Sequence, residues 1–274
     1  MNRAKPDAVA ASRAVRDLIE PHARVVAEMD AEPGAEPIRE ANGAAMVVVL
    51  GGDGTLLSQT RRCVDLDLPL LGVNFGKLGF MAEFDLDALR ANASRLFAGA
   101  DDPRMATLSL IRAEVTGGSA FAGIAVNEAV ITAGPPYRMI SLGLHIDGQP
   151  GPVVSGDGLI VSTAAGSTAY NVSAGGPIVA PGVRALSITP IAAHSLSFRP
   201  IVVSDETRIE IVVREVNPGG TTLVLDGQVQ SPLDRGDRVV LSRDPRRVRF
   251  VRNPDGGYWR TLIRKMHWAS VPRA

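Results

Sequence analysis

Apolar residues recur near the N-terminus with helical spacing. From Ala8 to Glu20, the residues Ala8, Ala11, Val15, Leu18 and Ile19 share one face while arginines and Asp17 share the other, which predicts an amphipathic helix. After a loop containing Pro33, Gly34 and Pro37, the run Met46 to Leu50 is β-branched and continuously apolar, the pattern of a parallel strand covered on both faces. Thr55 to Arg62 then reads as a helix and Leu70 to Val73 as a second buried strand. This strand, helix, strand rhythm predicts an α/β layer, placed at residues 1–100. A doubly wound domain normally opens on a strand, yet few residues precede the first helix here. Either that strand is missing or the start of the chain lies too far downstream.

Beyond Asp102 and Pro103 the period changes. Arg208 to Val213 and Arg247 to Val251 alternate charged and apolar residues, and Asp147-Gly148 and Asn217-Pro218-Gly219-Gly220 supply turns. Residues 101–250 are therefore predicted to form a mostly antiparallel, sandwich-like β domain. The stretch Tyr258 to Trp268 is helical in pattern, carries both tryptophans, and lies in a tail, 251–274, expected to return to the first domain. The fold class is α/β, with an N-terminal doubly wound nucleotide domain and a C-terminal β-rich domain.

Composition narrows the function. A chain of 274 residues, 45% hydrophobic and 21% charged with mean hydropathy +0.11, is globular and long enough for two domains. Lysine plus arginine equals aspartate plus glutamate at 29 each, so there is no global basic field for a nucleic acid or an anionic membrane, and phosphate binding must be local. No apolar run approaches the roughly 20 residues of a membrane span and no apolar signal core opens the chain, which leads to a cytoplasmic expectation. With Cys63 alone and histidines at 22, 145, 194 and 267, no transition-metal ligand spacing is present, and no metal is expected to be held by protein side chains.

The chemistry concentrates in two segments. Gly51-Gly52-Asp53-Gly54-Thr55 follows one strand and opens a helix, at the carboxyl edge of a sheet where α/β domains bind ligands. Glycines bring backbone N–H groups close to a phosphate, and the helix N-terminus adds positive dipole. An aspartate there would repel the anion, so its natural task is to accept a proton from, or orient, an attacking hydroxyl. The alternative is that Asp53 only caps the helix or fills a turn. No Gly-Lys-Ser/Thr follows the glycines, and Leu57 stands where the dinucleotide fingerprint has its third glycine. A Gly-x-Ser-x-Gly elbow is also absent. The second segment, Gly156 to Asn171 with Gly175-Gly176-Pro177-Ile178 beyond it, surrounds a short apolar strand with hydroxyls, amides and a carboxylate, a ligand-site composition or else a turn-rich β edge.

Together these segments resemble the NAD kinase family. Gly51 to Thr55 resembles its signature loop and Leu71-Gly72-Val73-Asn74-Phe75-Gly76-Lys77-Leu78-Gly79-Phe80 the segment after it. Ala125-Val126-Asn127-Glu128 resembles its Asn-acid motif and Gly156 to Asn171 its longest signature. His194 to Pro200, Asp226-Gly227-Gln228 and Tyr258-Trp259-Arg260 continue the likeness, which covers nearly the whole chain. The resemblance implies phosphorylation of the 2′-hydroxyl of the adenosine ribose of NAD, with ATP or polyphosphate as donor and a divalent cation, magnesium with ATP. It implies Asp53 as general base, and Gly51, Gly52, Gly54 and Thr55 on the donor phosphates. Asn127 and Glu128 would hold adenosine, Asp157 the nicotinamide end, and Asp53, Gly54, Phe80, Thr168, Ala169, Tyr170, Asn171, Ser173 and Gln228 would complete the NAD contacts. Read without the family, Asn127-Glu128 is also compatible with a self-satisfied turn. Relatives often carry a basic residue where Ser155 stands, a basic or polar one at Ser58, and proline at Ala164. A homodimer or homotetramer is implied. Diacylglycerol and sphingosine kinases, which share the glycine-aspartate loop, and a sensor that binds NAD without turnover are the competing readings.

Overall fold

The computed structural model describes residues 6–32, 34–76, 79–97, 105–118 and 120–268. Lys77 and Leu78 of the Leu71 to Phe80 segment lie outside the described residues. The chain divides into two compact units, Met1–Thr107 with Val248–Ala274, and Leu108–Arg247.

In the first unit, α1 (Pro6–Ile19) buries Ala11, Val15 and Ile19 at a spacing of four, as its apolar stripe predicts. The strand β1 (Val47–Leu50) leads into α2 (Asp53–Cys63) and then β2 (Leu70–Val73), and the two strands pair in parallel from Val47 opposite Leu70 to Leu50 opposite Val73. All of β2 is buried, the environment that a run without polar residues requires. A further helix, α3 (Leu86–Leu96), begins at Asp85, whose carboxylate accepts a 2.8 Å hydrogen bond from the Ala88 N–H as an N-cap. Its Leu89 and Leu96 join Val15, Ile19, Leu71, Val73, Phe84 and Val251 in one core.

The second unit is almost entirely antiparallel. In chain order it contains β3 (Met105–Thr116) from Leu108 onward, β4 (Phe121–Ala125), β5 (Glu128–Ala133), β6 (Ile140–Ile146), β7 (Gln149–Gly156) and β8 (Gly158–Thr163), then the one-turn helix α4 (Tyr170–Ser173). It continues through β9 (Ala185–Ile191), β10 (Ile201–Ser204), β11 (Ile209–Glu215), β12 (Thr221–Leu225), β13 (Val229–Leu233) and β14 (Arg238–Val251). One sheet has the order β10, β9, β8, β5, β12, β13; in the other, β7, β6, β11 and β14 are neighbours and β3 pairs with both β14 and β4. A single core draws Ile111, Leu142, Ile211 and Val239 from the second sheet and Ile131, Val161, Ile188 and Leu223 from the first, which makes this unit a β-sandwich. The alternation read from the sequence is the cause: along β11, Ile209, Ile211 and Val213 are buried while Glu210 and Val212 are only partly covered. Asp147 and Gly148, at φ +49 and +76, form the two-residue hairpin between β6 and β7 that their residue types predict.

The strand β14 is divided between the units, residues 238–247 in the second and 248–251 in the first, where Phe250 pairs in parallel with Leu70. After it, α5 (Tyr258–Met266) belongs to the first unit, buries Leu262, and is closed by His267 in a left-handed conformation, so that its last residue, Met266, lies two short of the expected end at Trp268. The fold is thus mixed α/β with a β-rich second part and a helical C-terminal tail that packs on the first, as expected.

Phe84 is wholly buried in the first core. Phe84→Ala should cost about 3–5 kcal/mol, the usual scale for an aromatic truncation in a packed interior. A urea titration followed by circular dichroism checks this, with exposed Gln230→Ala as the neutral control; equal midpoints for the two variants would contradict it.

Candidate functional site

The first site element is the bend between β1 and α2. Gly51 donates its N–H to the Val73 carbonyl at 2.8 Å and sits at φ +152, where a Cβ would also lie 2.7 Å from Thr55 Oγ1. Gly52 is different: no atom lies within 4 Å of the position its Cβ would take, so its surface is open to an approaching group. Asp53 is the first residue of α2, and the unsatisfied N–H groups of a first helical turn point to the same end.

The Asp53 carboxylate does not cap its own helix. Its Oδ2 accepts from the Phe80 N–H at 2.9 Å, and its Oδ1 from the Met81 and Ala82 N–H groups at 3.2 and 3.0 Å. A carboxylate has about four lone-pair sites, so these three bonds leave one acceptor site unused. The backbone can come this close because residue 79 is glycine: a Cβ there would stand 1.8 Å from Asp53 Oδ1. Beside it, Glu83 Oε1 lies 2.5 Å from Arg252 Nε and Oε2 accepts from the Asn253 N–H at 3.0 Å. Burial pushes the Glu83 carboxyl up, against the pull of Arg252 and the Asn253 N–H, and the charge of Asp53 adds a smaller push the same way.

The second element lies in the sandwich, where β4 turns into β5. Asp226, at φ +51 in the turn between β12 and β13, accepts from three successive N–H groups: Val126 at 3.0 Å to each oxygen, Asn127 at 2.7 Å and Glu128 at 3.2 Å. From the other side, Thr163 Oγ1 donates to the Val126 carbonyl at 2.8 Å, and the Thr163 N–H to the Asn127 carbonyl at 2.8 Å. Gly166 packs directly on this peptide, since a Cβ would lie 2.2 Å from the Asn127 carbonyl oxygen. The motifs at 125–128, 156–171 and 226–228 are thereby brought together.

The backbone N–H and carbonyl groups of residues 126–128 are all engaged, yet two of their side chains are not. Asn127 Oδ1 and Glu128 Oε2 are buried with no hydrogen-bond partner among the described residues. Leaving such atoms unpaired costs about 1–3 kcal/mol each, which a self-satisfied turn would not incur. Burial first, and then the neighbouring Asp226 charge, push the Glu128 carboxyl up to about 8. It is therefore largely protonated at neutral pH and presents an O–H donor.

The remaining predicted residues divide by exposure. Asp157 is the single residue between β7 and β8, half-buried, with its N–H on the Ile191 carbonyl and its carbonyl accepting from the Ala133 N–H, both at 3.0 Å. Thr168 and Ala169 are half-buried, Tyr170 and Ser173 are exposed on α4, and Gln228 is exposed beyond Asp226. Asn171 stands apart. Its side chain is wholly buried; Nδ2 donates to the Ser167 and Pro177 carbonyls, and Oδ1 accepts from Ser187 Oγ at 3.0 Å and Thr189 Oγ1 at 2.7 Å. Two donors and two acceptors on the side chain are thus all paired inside the protein, and the side chain holds the loop. Conversely, Asp226 was not among the expected site residues, although it fixes two that were. An acid followed by Gly227 in a tight turn is the signal for its backbone conformation, but nothing local reveals the loop it reaches.

Among the described residues, no group of three or more His, Cys, Asp or Glu side chains is placed to hold a metal ion. No helix among them is long and apolar enough to cross a membrane.

Comparison with known proteins adds an independent line. A family model for the ATP-NAD kinase N-terminal domain matches residues 9–100, and one for the ATP-NAD kinase C-terminal domain matches residues 126–253. A NAD kinase of Azoarcus sp. is 40% identical over 235 residues, spanning 84% of this chain and 78% of that one. A NAD kinase of Geotalea daltonii is 38% identical over 259 residues, 94% of this chain and 89% of its own. Among solved structures, yeast NADH kinase complexed with NADH superposes with a TM-score of 0.74 at 27% identity, covering 84% of this chain and 68% of that one. A NAD kinase from Archaeoglobus fulgidus in complex with ATP gives 0.72 at 25% identity, with 96% and 95% covered. On the family models and the relatives alike, the chain belongs to the NAD kinase family.

Proposed function

We propose that this protein transfers the terminal phosphoryl group of ATP, or of polyphosphate, to the 2′-hydroxyl of the adenosine ribose of NAD, giving NADP. The observation that carries the reading is the Asp53 carboxylate, held by three N–H groups at the end of a glycine bend with one acceptor site to spare. Phosphoryl transfer asks a protein mainly for positioning and charge stabilisation. In the proposed step the ribose 2′-oxygen forms a bond to the terminal phosphorus, the bond from that phosphorus to the bridging oxygen breaks, and the hydroxyl proton passes to Asp53. The backbone of Gly51, Gly52, Gly54 and Thr55 steadies the donor phosphates. Magnesium enters with the nucleotide as part of the substrate.

Asn127 and Glu128 are assigned to the coenzyme because each has a buried oxygen that a ligand could satisfy. Asp157 is assigned to the nicotinamide end, and Gly54, Phe80, Thr168, Ala169, Tyr170, Ser173 and Gln228 to the remaining contacts. Asn171 acts by fixing their loop. We further propose a cytoplasmic homodimer or homotetramer.

Asp53→Asn should retain NAD binding by calorimetry and lower turnover at least about a hundredfold, the scale of a lost general base. Undiminished NADP formation in a coupled assay would remove Asp53 from this role.

Glu128 gives a second test. Because its folded value, about 8, exceeds its ordinary 4.5, the folded state binds more protons between those limits. Stability therefore falls as pH rises from 4.5 to 8 and is level beyond. Glu128→Gln removes this loss, so the variant should gain nothing at pH below 4.5 and on the order of 3–5 kcal/mol above pH 8. Thermal melts at both extremes measure it; a pH-independent difference would be the wrong outcome.

A further inference from the structure

Three amides hold Asp53, so whatever fixes the segment 80–82 also fixes the reacting carboxylate. Within the first unit that segment is tied to the C-terminal tail at two points. Glu83, next to Ala82, is bound by Arg252 and by the Asn253 N–H, while Asn253 Nδ2 donates back to the Glu83 carbonyl at 3.1 Å. Phe80, whose N–H binds Asp53, has its ring 6.2 Å from the Tyr258 ring, and Lys265 Nζ lies 5.5 Å from its centroid. The contacts come from the first and last turns of α5, and Trp259 supports Tyr258 edge-on at 5.1 Å.

The Tyr258 hydroxyl is buried with no hydrogen-bond partner among the described residues. The contact of Tyr258 with Phe80 is therefore made by the ring and not by a hydrogen bond.

We infer that α5 is a positioning brace for Asp53, with Tyr258 and Lys265 acting as positioning residues through Phe80. The inference rests on Asp53 being the base, and it adds an element that the phosphate loop and coenzyme contacts do not include. The physical basis is that misplacing a reacting group by about 1 Å can cost up to a hundredfold in rate.

The test uses the full-length enzyme and two readouts. Tyr258→Ala should lower turnover about tenfold, and Tyr258→Phe, which keeps the ring, should retain wild-type turnover. In an Asp53→Asn background Tyr258→Ala should cause no further loss, because the group it positions is already gone. Amide hydrogen exchange should accelerate at Phe80, Met81 and Ala82 in Tyr258→Ala, and to a lesser degree in Lys265→Met, which keeps the fold if the alanine variant does not. Equal losses of turnover in the wild-type and Asp53→Asn backgrounds, or unchanged exchange at these three amides, would overturn the brace. If the wild-type enzyme makes no NADP from any donor, the proposed reaction fails while exchange at the three amides still decides the brace.

Discussion

In each unit, among the described residues, an aspartate side chain gathers three successive backbone N–H groups, and the candidate functional loops are built on it. Asp53 takes Phe80, Met81 and Ala82; Asp226 takes Val126, Asn127 and Glu128. Charge-assisted hydrogen bonds of this kind are roughly twice as strong as neutral ones, and three together impose a curvature the chain would not otherwise keep. The two differ in surroundings. Asp226 is buried in its turn and is spent on architecture, whereas Asp53 is half-buried beside an open glycine. The same device thus yields a strut in one unit and an accessible carboxylate in the other.

Close approach of backbone makes both devices possible, and glycine is the means. Gly79 and Gly166 are not needed for left-handed backbone; each is needed because a Cβ would overlap a neighbouring polar group, Asp53 Oδ1 in one case and the Asn127 carbonyl in the other. Glycine read only as a turn former explains Gly51 and Gly148 and misses these two. Their requirement is set by residues distant in sequence, which no local window contains.

That distinction governs how much was legible beforehand. The helix α1, the strands β1 and β2 and the alternation along β11 are local patterns, and the chain's own periodicity declares them. The helix α3, which is not among the predicted elements, is equally local in origin, with Asp85 as cap and Leu86, Leu89, Ala93 and Leu96 at helical intervals. Asp53 was legible because its loop chemistry is local. Asp226 was not, since its partners lie about a hundred residues earlier. Asn171 illustrates the converse case: a hydroxyl-rich neighbourhood has a ligand-site composition whether its polar groups face a ligand or one another. Only the count of its hydrogen bonds separates the two.

Asn127 and Glu128 show why that count carries functional weight. The carboxylate of Asp226 claims the three N–H groups of residues 126–128, and these are then unavailable to the Glu128 side chain that follows them. Glu128 is left with burial and a like charge nearby, and both favour keeping its proton. Two neighbouring acids are thereby driven to different states, one ionised and organising the backbone, the other keeping its proton. A sandwich selected for stability alone would place an apolar residue at 128, because an unpaired buried carboxyl costs more than it returns. Its persistence in so well packed a corner is intelligible if a bound molecule completes it.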